Sequence, residues 1–228
     1  MLGTLVNVGA VIIGSLLGLV IHKRMPEKIT KLVFQAIGLF TLFLGFTMAS
    51  KTTNYLIMIF SLVIGSIIGE LLNIEKQISK LSDWLKSKSG SSNAKFSEGF
   101  LTSFLLFCMG SMTILGAIEE GLGGNPDLLL AKSVLDGFSS IALAAAMGIG
   151  VLFSAIPLFI YQGGLTLFAG YLQDYLTTPM INELSAVGGI ILIGLGVNIL
   201  EIKKIRVINM TPALFVAVIL VYYFVNNS

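Results

Sequence analysis

Charge is what this sequence has least of. Only 11% of its 228 residues are Asp, Glu, Lys or Arg, against about a quarter in a soluble globular chain. With 55% apolar residues and a mean hydropathy of +0.94, the chain cannot cover itself with a polar surface, so the composition predicts an all-α polytopic membrane protein. A net charge of +2 excludes a broad electrostatic partner, and no nucleic acid is expected. Cysteine is nearly absent too: Cys108 stands alone, which excludes an internal disulfide, and His22 is the only histidine. A zinc or haem site within one chain is therefore not expected, nor any other cofactor. There is no G-x-x-x-x-G-K-[ST], no G-x-G-x-x-G and no G-x-S-x-G, so neither ATP-driven pumping by this chain, nor dinucleotide chemistry, nor serine hydrolysis is indicated. The reading is that the protein is not an enzyme. Before the first apolar run there is no basic segment, and no A-x-A follows it, so that run is expected to stay as a helix rather than be cleaved.

What is present is a series of long uncharged runs. Gly3–Ile21 and Leu32–Ser50 are each 19 residues without charge, enough to cross a hydrocarbon core of about 30 Å. Tyr55–Leu72 forms a third span. Gly99–Ile118 forms a fourth, followed by the acidic, Gly-rich stretch Glu119–Asp127. The centre is unusual, because Gly137–Gln173 contains 37 residues with no Asp, Glu, Lys, Arg or His. At about 1.5 Å per residue one helix of that length would be nearly twice too long. The run is expected to fold back around Ser154–Pro157, where the imino acid disfavours helix at Ile156, with Gly163–Gly164 as a second soft point. This gives spans at Leu128–Phe153 and Ala155–Leu172, a loop over Asp174–Glu183 containing Pro179, and final spans at Leu184–Leu200 and Val207–Val225. A re-entrant hairpin in the centre remains the alternative. Residues 1–228 thus read as one integral membrane domain of about eight spans with a broken central segment. Residues 74–96 form an amphipathic helix and a Ser/Gly linker on the cytoplasmic side, the helix lying in the headgroup region or solvated.

The basic residues support that count. Twelve of fourteen follow spans one, three and seven: Lys23, Arg24, Lys28, Lys31; Lys76, Lys80, Lys86, Lys88, Lys95; Lys203, Lys204 and Arg206. With eight spans all twelve share one side, so the positive-inside rule places them in the cytoplasm and both termini outside. Ile13-Gly-Ser-Leu-Leu-Gly18 and Ile64-Gly-Ser-Ile-Ile-Gly69 match 51 residues apart. They point to duplicated two-helix units and supply small-xxx-small spacing for close helix contact.

An ionisable side chain within a span costs about 2.5–3.5 kcal/mol at its centre. Asp136 is such a residue, with Lys132 one turn earlier on the same face. Either Asp136 is a ligand for an ion, proton or solute, or the two form a structural clasp. Asn7, Gln35, Ser111, Thr113, Gln162 and Asn198 are uncharged polar residues in other spans that would complete a substrate site with the pair, though no spacing rule ties them together. Glu70 at an inner helix end is interfacial or an inner gate. Glu119, Glu120 and Asp127 would form an outer mouth that concentrates cations.

Met1–Asn7, Gly14–Gly18, Gly110–Glu119 and above all Lys132-Ser-Val-Leu-Asp-Gly137 through Pro157 to Gln162-Gly163 resemble the YdfK/YqgA-like family of bacterial membrane proteins, a family built on a domain of unknown function. The resemblance covers essentially the whole chain. It implies a cytoplasmic-membrane protein for which transport is the usual suggestion, and it supplies no substrate. The positions it carries over are Asn7, Gly110, Ser111, Thr113, Gly116, Glu119, Lys132, Asp136, Gly137, Pro157 and Gln162, none with an established role. The expectation is a secondary transporter or facilitator of a small solute or ion in the lipid bilayer. An ion channel, or an assembly or sensory protein, is the alternative, and a homo-oligomer stays open.

Overall fold

A computed structural model describes residues 1–22, 26–88, 95–108, 110–172 and 177–224. All regular structure among them is helical, and no strand occurs among the described residues. The helices are α1 (Leu2–His22), α2 (Glu27–Ala49), α3 (Tyr55–Leu71), α4 (Ile74–Lys88), α5 (Phe96–Cys108), α6 (Ser111–Gly121), α7 (Asp127–Met147), α8 (Gly150–Phe153), α9 (Ala155–Leu167), α10 (Ala169–Leu172), α11 (Thr178–Ile199) and α12 (Ala213–Phe224). A 3-10 turn at Val207–Met210 precedes the last of them. Among the described residues six helical segments are long and apolar enough to cross a membrane, or eight if two bent pairs each count as one span. The chain divides into two compact units, one made of Met1–Ile37, Ser79–Cys108 and Met112–Leu172, the other of Gly38–Ile78, Met109–Ser111 and Gln173–Ser228.

The first unit is built on the pairing of α1 with α7. Gly14 packs against Gly137 and Ser140, and Gly18 against the backbone of Ile141 and the side chain of Ala144, with no room for a Cβ at either glycine. His22 meets the carbonyl of Ala145 at 2.8 Å. Contacts advance together along both helices, so α1 and α7 run parallel, and the Gly14/Gly18 spacing does here what such spacing does in lipid: it lets two backbones touch. The chain then returns. Thr4 meets Thr166 and Asn7 meets Gln162, so α9 runs antiparallel to α1 and comes back to the end at which α7 began. The 37-residue uncharged run therefore covers the second half of α7 and the return through α9, and Gly150–Leu167 is itself long enough to span. The helices α5 and α6 form one broken crossing. Its start lies beside the end of α7, with Gly99 against Met147, and its end beside α9, with Gly121 against Thr166 and Ala169. Their axes differ by 58°. On the side of Phe96, Lys95 stacks 3.8 Å above the ring of Phe34.

The second unit pairs α11 with the second half of α2 in antiparallel fashion, through Gly38 and Leu200, Gly45 and Ile193, and Gly189 and Met48. The second glycine motif serves α3, where Gly65 packs on Ala213 and Gly69 on the backbone of Asn209. Both copies thus perform close helix packing, each against a different neighbour. At the end of α3, Asn73 adopts a left-handed conformation with φ 51°, which asparagine tolerates, and the opening Ile74–Lys80 segment of α4 runs at 57° to α3. Trp84 is exposed on that helix, consistent with an amphipathic element at an interface.

Three expectations move. The fold-back of the central run occurs at Gly148, whose φ of 83° and ψ of −154° suit only glycine, and not at Ser154–Pro157. There the backbone makes only a slight turn, and Pro157 sits in the first turn of α9, where its missing N–H costs nothing. Gly163–Gly164 is no soft point either, for α9 runs through both. Span seven starts at Thr178 instead of Leu184, because Pro179 opens the helix and the charge of Glu183 is satisfied internally. Glu183 is 1% exposed. Its carboxylate accepts hydrogen bonds from Thr53 N at 2.7 Å, Asn54 N at 3.0 Å and the hydroxyl of Thr52 at 2.8 Å, holding the α2–α3 turn. The linker at Ser89–Ala94 and Asp174 lie outside the described residues.

Because an added Cβ at Gly164 meets nothing within 4 Å, Gly164→Ala should leave yield intact and stabilise α9 by about 0.5–1 kcal/mol. Thermal denaturation of the detergent-purified protein checks this, and a lowered midpoint would contradict the continuous helix.

Candidate functional site

The middle of α7 carries the two charges that its neighbours do not. Asp136 is the tenth residue of this 21-residue helix, with no further charge in the turns that follow, and it is 6% exposed; Lys132 is 5% exposed. The helical period puts them on one face, and Lys132 Nζ donates to Asp136 Oδ2 at 2.5 Å. Close approach of α1 at Gly14 and Gly18 brings Asn7 to the same carboxylate oxygen. Its Nδ2 donates to Asp136 Oδ2 at 3.1 Å and to Gln162 Oε1 at 2.8 Å. From Gln162 the chain continues. Its Nε2 donates to Thr4 Oγ1 at 3.3 Å, Thr4 and Thr166 hydroxyls lie 3.2 Å apart, and Thr166 donates back to the carbonyl of Gln162 at 3.1 Å. Since the Thr166 proton is used there, Thr4 must be the donor to Thr166.

The result is a buried polar chain, Lys132–Asp136–Asn7–Gln162–Thr4–Thr166, drawn from three helices of one unit. Isolated polar groups in such an interior cost several kcal/mol each unless partnered, so their convergence is what makes them tolerable. The partnering is incomplete. Both bonds to Asp136 fall on Oδ2, and Oδ1 takes none among the described residues. Asn7, fully buried, has an Oδ1 with no partner among the described residues. Lys132 uses one of three N–H donors among the described residues. The thiol of Cys108, on α5, is close enough to feel the charges of Lys132 and Asp136.

The structure brings together Asp136, Lys132, Asn7 and Gln162 from the expected set and leaves the others elsewhere. Thr113 is buried but donates to the carbonyl of Phe107 at 2.9 Å, bridging the break between α5 and α6. Ser111 opens α6, and its side chain lies outside those described. Asn198 clasps the backbone of Ile205 with both ends of its amide, at 2.8 and 2.6 Å, so it closes the loop after α11. Gln35 is exposed on α2. Glu70 ion-pairs with Arg206 and accepts from Asn209 at 2.7 Å, fastening the end of α3. Of the outer mouth, Glu119 and Asp127 are exposed. Glu120 instead caps α1, its Oε1 accepting from Gly3 N at 2.7 Å and lying 3.0 Å from the Met1 amino group. Sequence reasoning missed Thr4 and Thr166. Each lies one helical turn from a residue already singled out, Asn7 or Gln162, and that spacing was the available signal. Among the described residues no group of three or more His, Cys, Asp or Glu is arranged to hold a metal ion.

The family model described as "Protein of unknown function (DUF554)" matches residues 2–222. An uncharacterized membrane protein, YdfK, of Bacillus subtilis is 35% identical over 226 residues, covering 97% of this chain and 96% of its own. An uncharacterized protein, YqgA, of Escherichia coli is 34% identical over 221 residues, covering 95% and 94%. No solved structure matches. These similarities bear out the resemblance read from the motifs, and with the apolar helices they make this a multi-pass membrane protein.

Proposed function

The chain belongs to the DUF554 family, whose function is unknown, and from that premise we propose that it is a secondary transporter or facilitator of a small solute or ion across the bacterial cytoplasmic membrane, and not an enzyme. The observation that carries this reading is the part-satisfied polar chain of α1, α7 and α9. A clasp whose only task was packing would spend its hydrogen-bonding capacity. Here the carboxylate that accepts from the Lys132 ammonium and the Asn7 amide that donates to it each keep an oxygen unbonded among the described residues, as groups that change partners must. Ionisable residues at such depth mark ion and solute pathways in membrane proteins. A broken crossing, α5–α6, packs beside them, and broken helices line binding sites in many transporters. The channel reading is weaker because Glu120 of the expected mouth is engaged with α1.

The test begins with a thermal-shift screen of purified protein against small solutes and ions, since a ligand that binds the folded state stabilises it by mass action. Hits are then followed into proteoliposomes. A transporter gives saturable uptake and counterflow, abolished in Asp136→Asn; flux proportional to concentration without counterflow would replace this reading with a pore.

Orientation is tested separately. In a background with Cys108 replaced, single cysteines at Asn125 and Thr178 should react with an impermeant maleimide on intact cells, and one at Ser91 only after permeabilisation. Protection of Thr178 in intact cells would overturn the placement of both termini outside.

A further inference from the structure

Charge balance narrows what the site accepts. Lys132 and Asp136 cancel, and among the described residues the titratable groups that face Asp136 are Lys132 on its own helix and the Cys108 thiol on α5; α1 and α9 present only the amides of Asn7 and Gln162. A metal cation arriving on Asp136 while Lys132 keeps its proton would leave a net positive charge in a buried setting, which is costly. Three loaded states stay neutral: one with Asp136 protonated and an anion on Lys132, one with a zwitterion across the pair, and one with a monovalent cation on Asp136 and the Lys132 proton released.

The orientation of the amides favours the first. With Asp136 ionised, Asn7 must point its NH2 at Asp136 Oδ2 and Gln162 Oε1, because a turned amide would set its oxygen against two acceptors. That orientation leaves Asn7 Oδ1 without a partner among the described residues. A protonated Asp136 becomes a donor, and the whole chain can then reverse. Asn7 Oδ1 accepts from Asp136 and from Gln162 Nε2, and Gln162 Oε1 accepts from Thr4. The amide edge of Asn7 that was an unpartnered acceptor becomes an NH2 donor, and Lys132, no longer facing a carboxylate, is left to pair with something else. One proton thus turns the unpartnered edge of Asn7 from an acceptor into an N–H donor and releases the Lys132 ammonium from its carboxylate, and an ammonium with an amide N–H is the chemistry of an anion site.

Resting on the transport reading above, we propose that the Lys132–Asp136–Asn7 cluster binds one proton together with one small monoanion, the proton on Asp136 and the anion on Lys132 and Asn7. Anion affinity is then constant while Asp136 is protonated and falls about tenfold per pH unit once it is ionised, as one-proton linkage requires. Asp136→Asn mimics the protonated acid, so it should bind the anion with less pH dependence and without taking up a proton.

The experiment uses the detergent-purified full chain, with sodium formate, sodium nitrate and sodium chloride as anion probes and potassium gluconate as a bulky-anion control. Binding is followed by thermal shift from pH 5 to 8, and proton uptake by a pH indicator in weak buffer. Expected are stabilisation that grows as pH falls, about one proton taken up per anion bound, a folded Asp136→Asn protein stabilised by the same anion with no proton uptake, and no anion response in the Lys132→Gln, Asp136→Asn double variant. Stabilisation by sodium or potassium whatever the anion, proton release on binding, or a folded Asp136→Asn protein that no longer responds to any anion that stabilises the unmodified chain would each overturn the proposal, as would no response of the unmodified chain to any probe. Anion binding without flux in proteoliposomes would leave this inference standing and remove only the transport reading.

Discussion

Gly14→Leu should prevent the protein from accumulating in a folded state. At Gly14 an added Cβ meets the Ser140 hydroxyl and the Gly137 carbonyl inside any acceptable contact. One of those neighbours is backbone, so no rotamer change relieves it. Overpacking a core by a methylene or two costs about 1–3 kcal/mol, and a leucine wedged between two backbones would instead part α1 from α7. The consequence reaches the site, because Asn7 reaches Asp136 only while these helices touch. Gly9, on the same helix, is the control: its Cβ meets nothing within 4 Å, so Gly9→Leu should be accepted. Size-exclusion profiles of detergent extracts decide the matter. A monodisperse Gly14→Leu protein at normal yield would mean that α1 and α7 are not packed as described.

The same contacts explain how far the sequence could be read. The boundaries of α1 and α3 were legible within a residue or so, because uncharged runs bounded by charge or by asparagine have one interpretation in a membrane. The helical spacing of Lys132 and Asp136 was equally plain, since neighbours at i and i+4 need no tertiary knowledge. Asn7 and Gln162 were visible as polar residues within spans, but their meeting was not, for it depends on α1 running parallel to α7 and antiparallel to α9. The bend at Gly148 was missed in favour of Pro157. Proline announces itself in a sequence, whereas a glycine shows its use only once its φ is known, and Gly148 is one of four glycines between positions 137 and 163. Glu120 and Glu183 were read as loop charges because nothing local distinguishes a solvated carboxylate from one that gathers amide protons from a segment more than a hundred residues away. Asn198, likewise, is spent on a carbonyl and an amide only seven residues ahead, a local use that competes with any ligand.

The Lys132–Asp136 cycle separates a working pair from a clasp. Asp136→Asn keeps the size of the side chain and leaves a buried ammonium without its counter-charge; breaking one side of a buried pair typically costs about 3–5 kcal/mol. The single variant should therefore purify with a clearly lowered denaturation midpoint, and the inferred anion should restore it by supplying the missing charge. Lys132→Gln should cost less, because the remaining carboxyl can bind a proton and keep its bond to Asn7. In the double variant the two introduced amides can hydrogen-bond at the same four-residue spacing, so most of the lost stability should return. The coupling between the two positions is then at least about 2 kcal/mol, far more than the few tenths expected of an exposed i,i+4 pair. Stability alone would be recovered by either kind of pair. Flux decides between them: a clasp restored in neutral form should transport normally, whereas a site that works by exchanging charge has lost both of its charges and should be inactive at every pH from 5 to 8. Full uptake by the stable double variant in proteoliposomes would retire Asp136 as a working carboxylate and return the pair to packing.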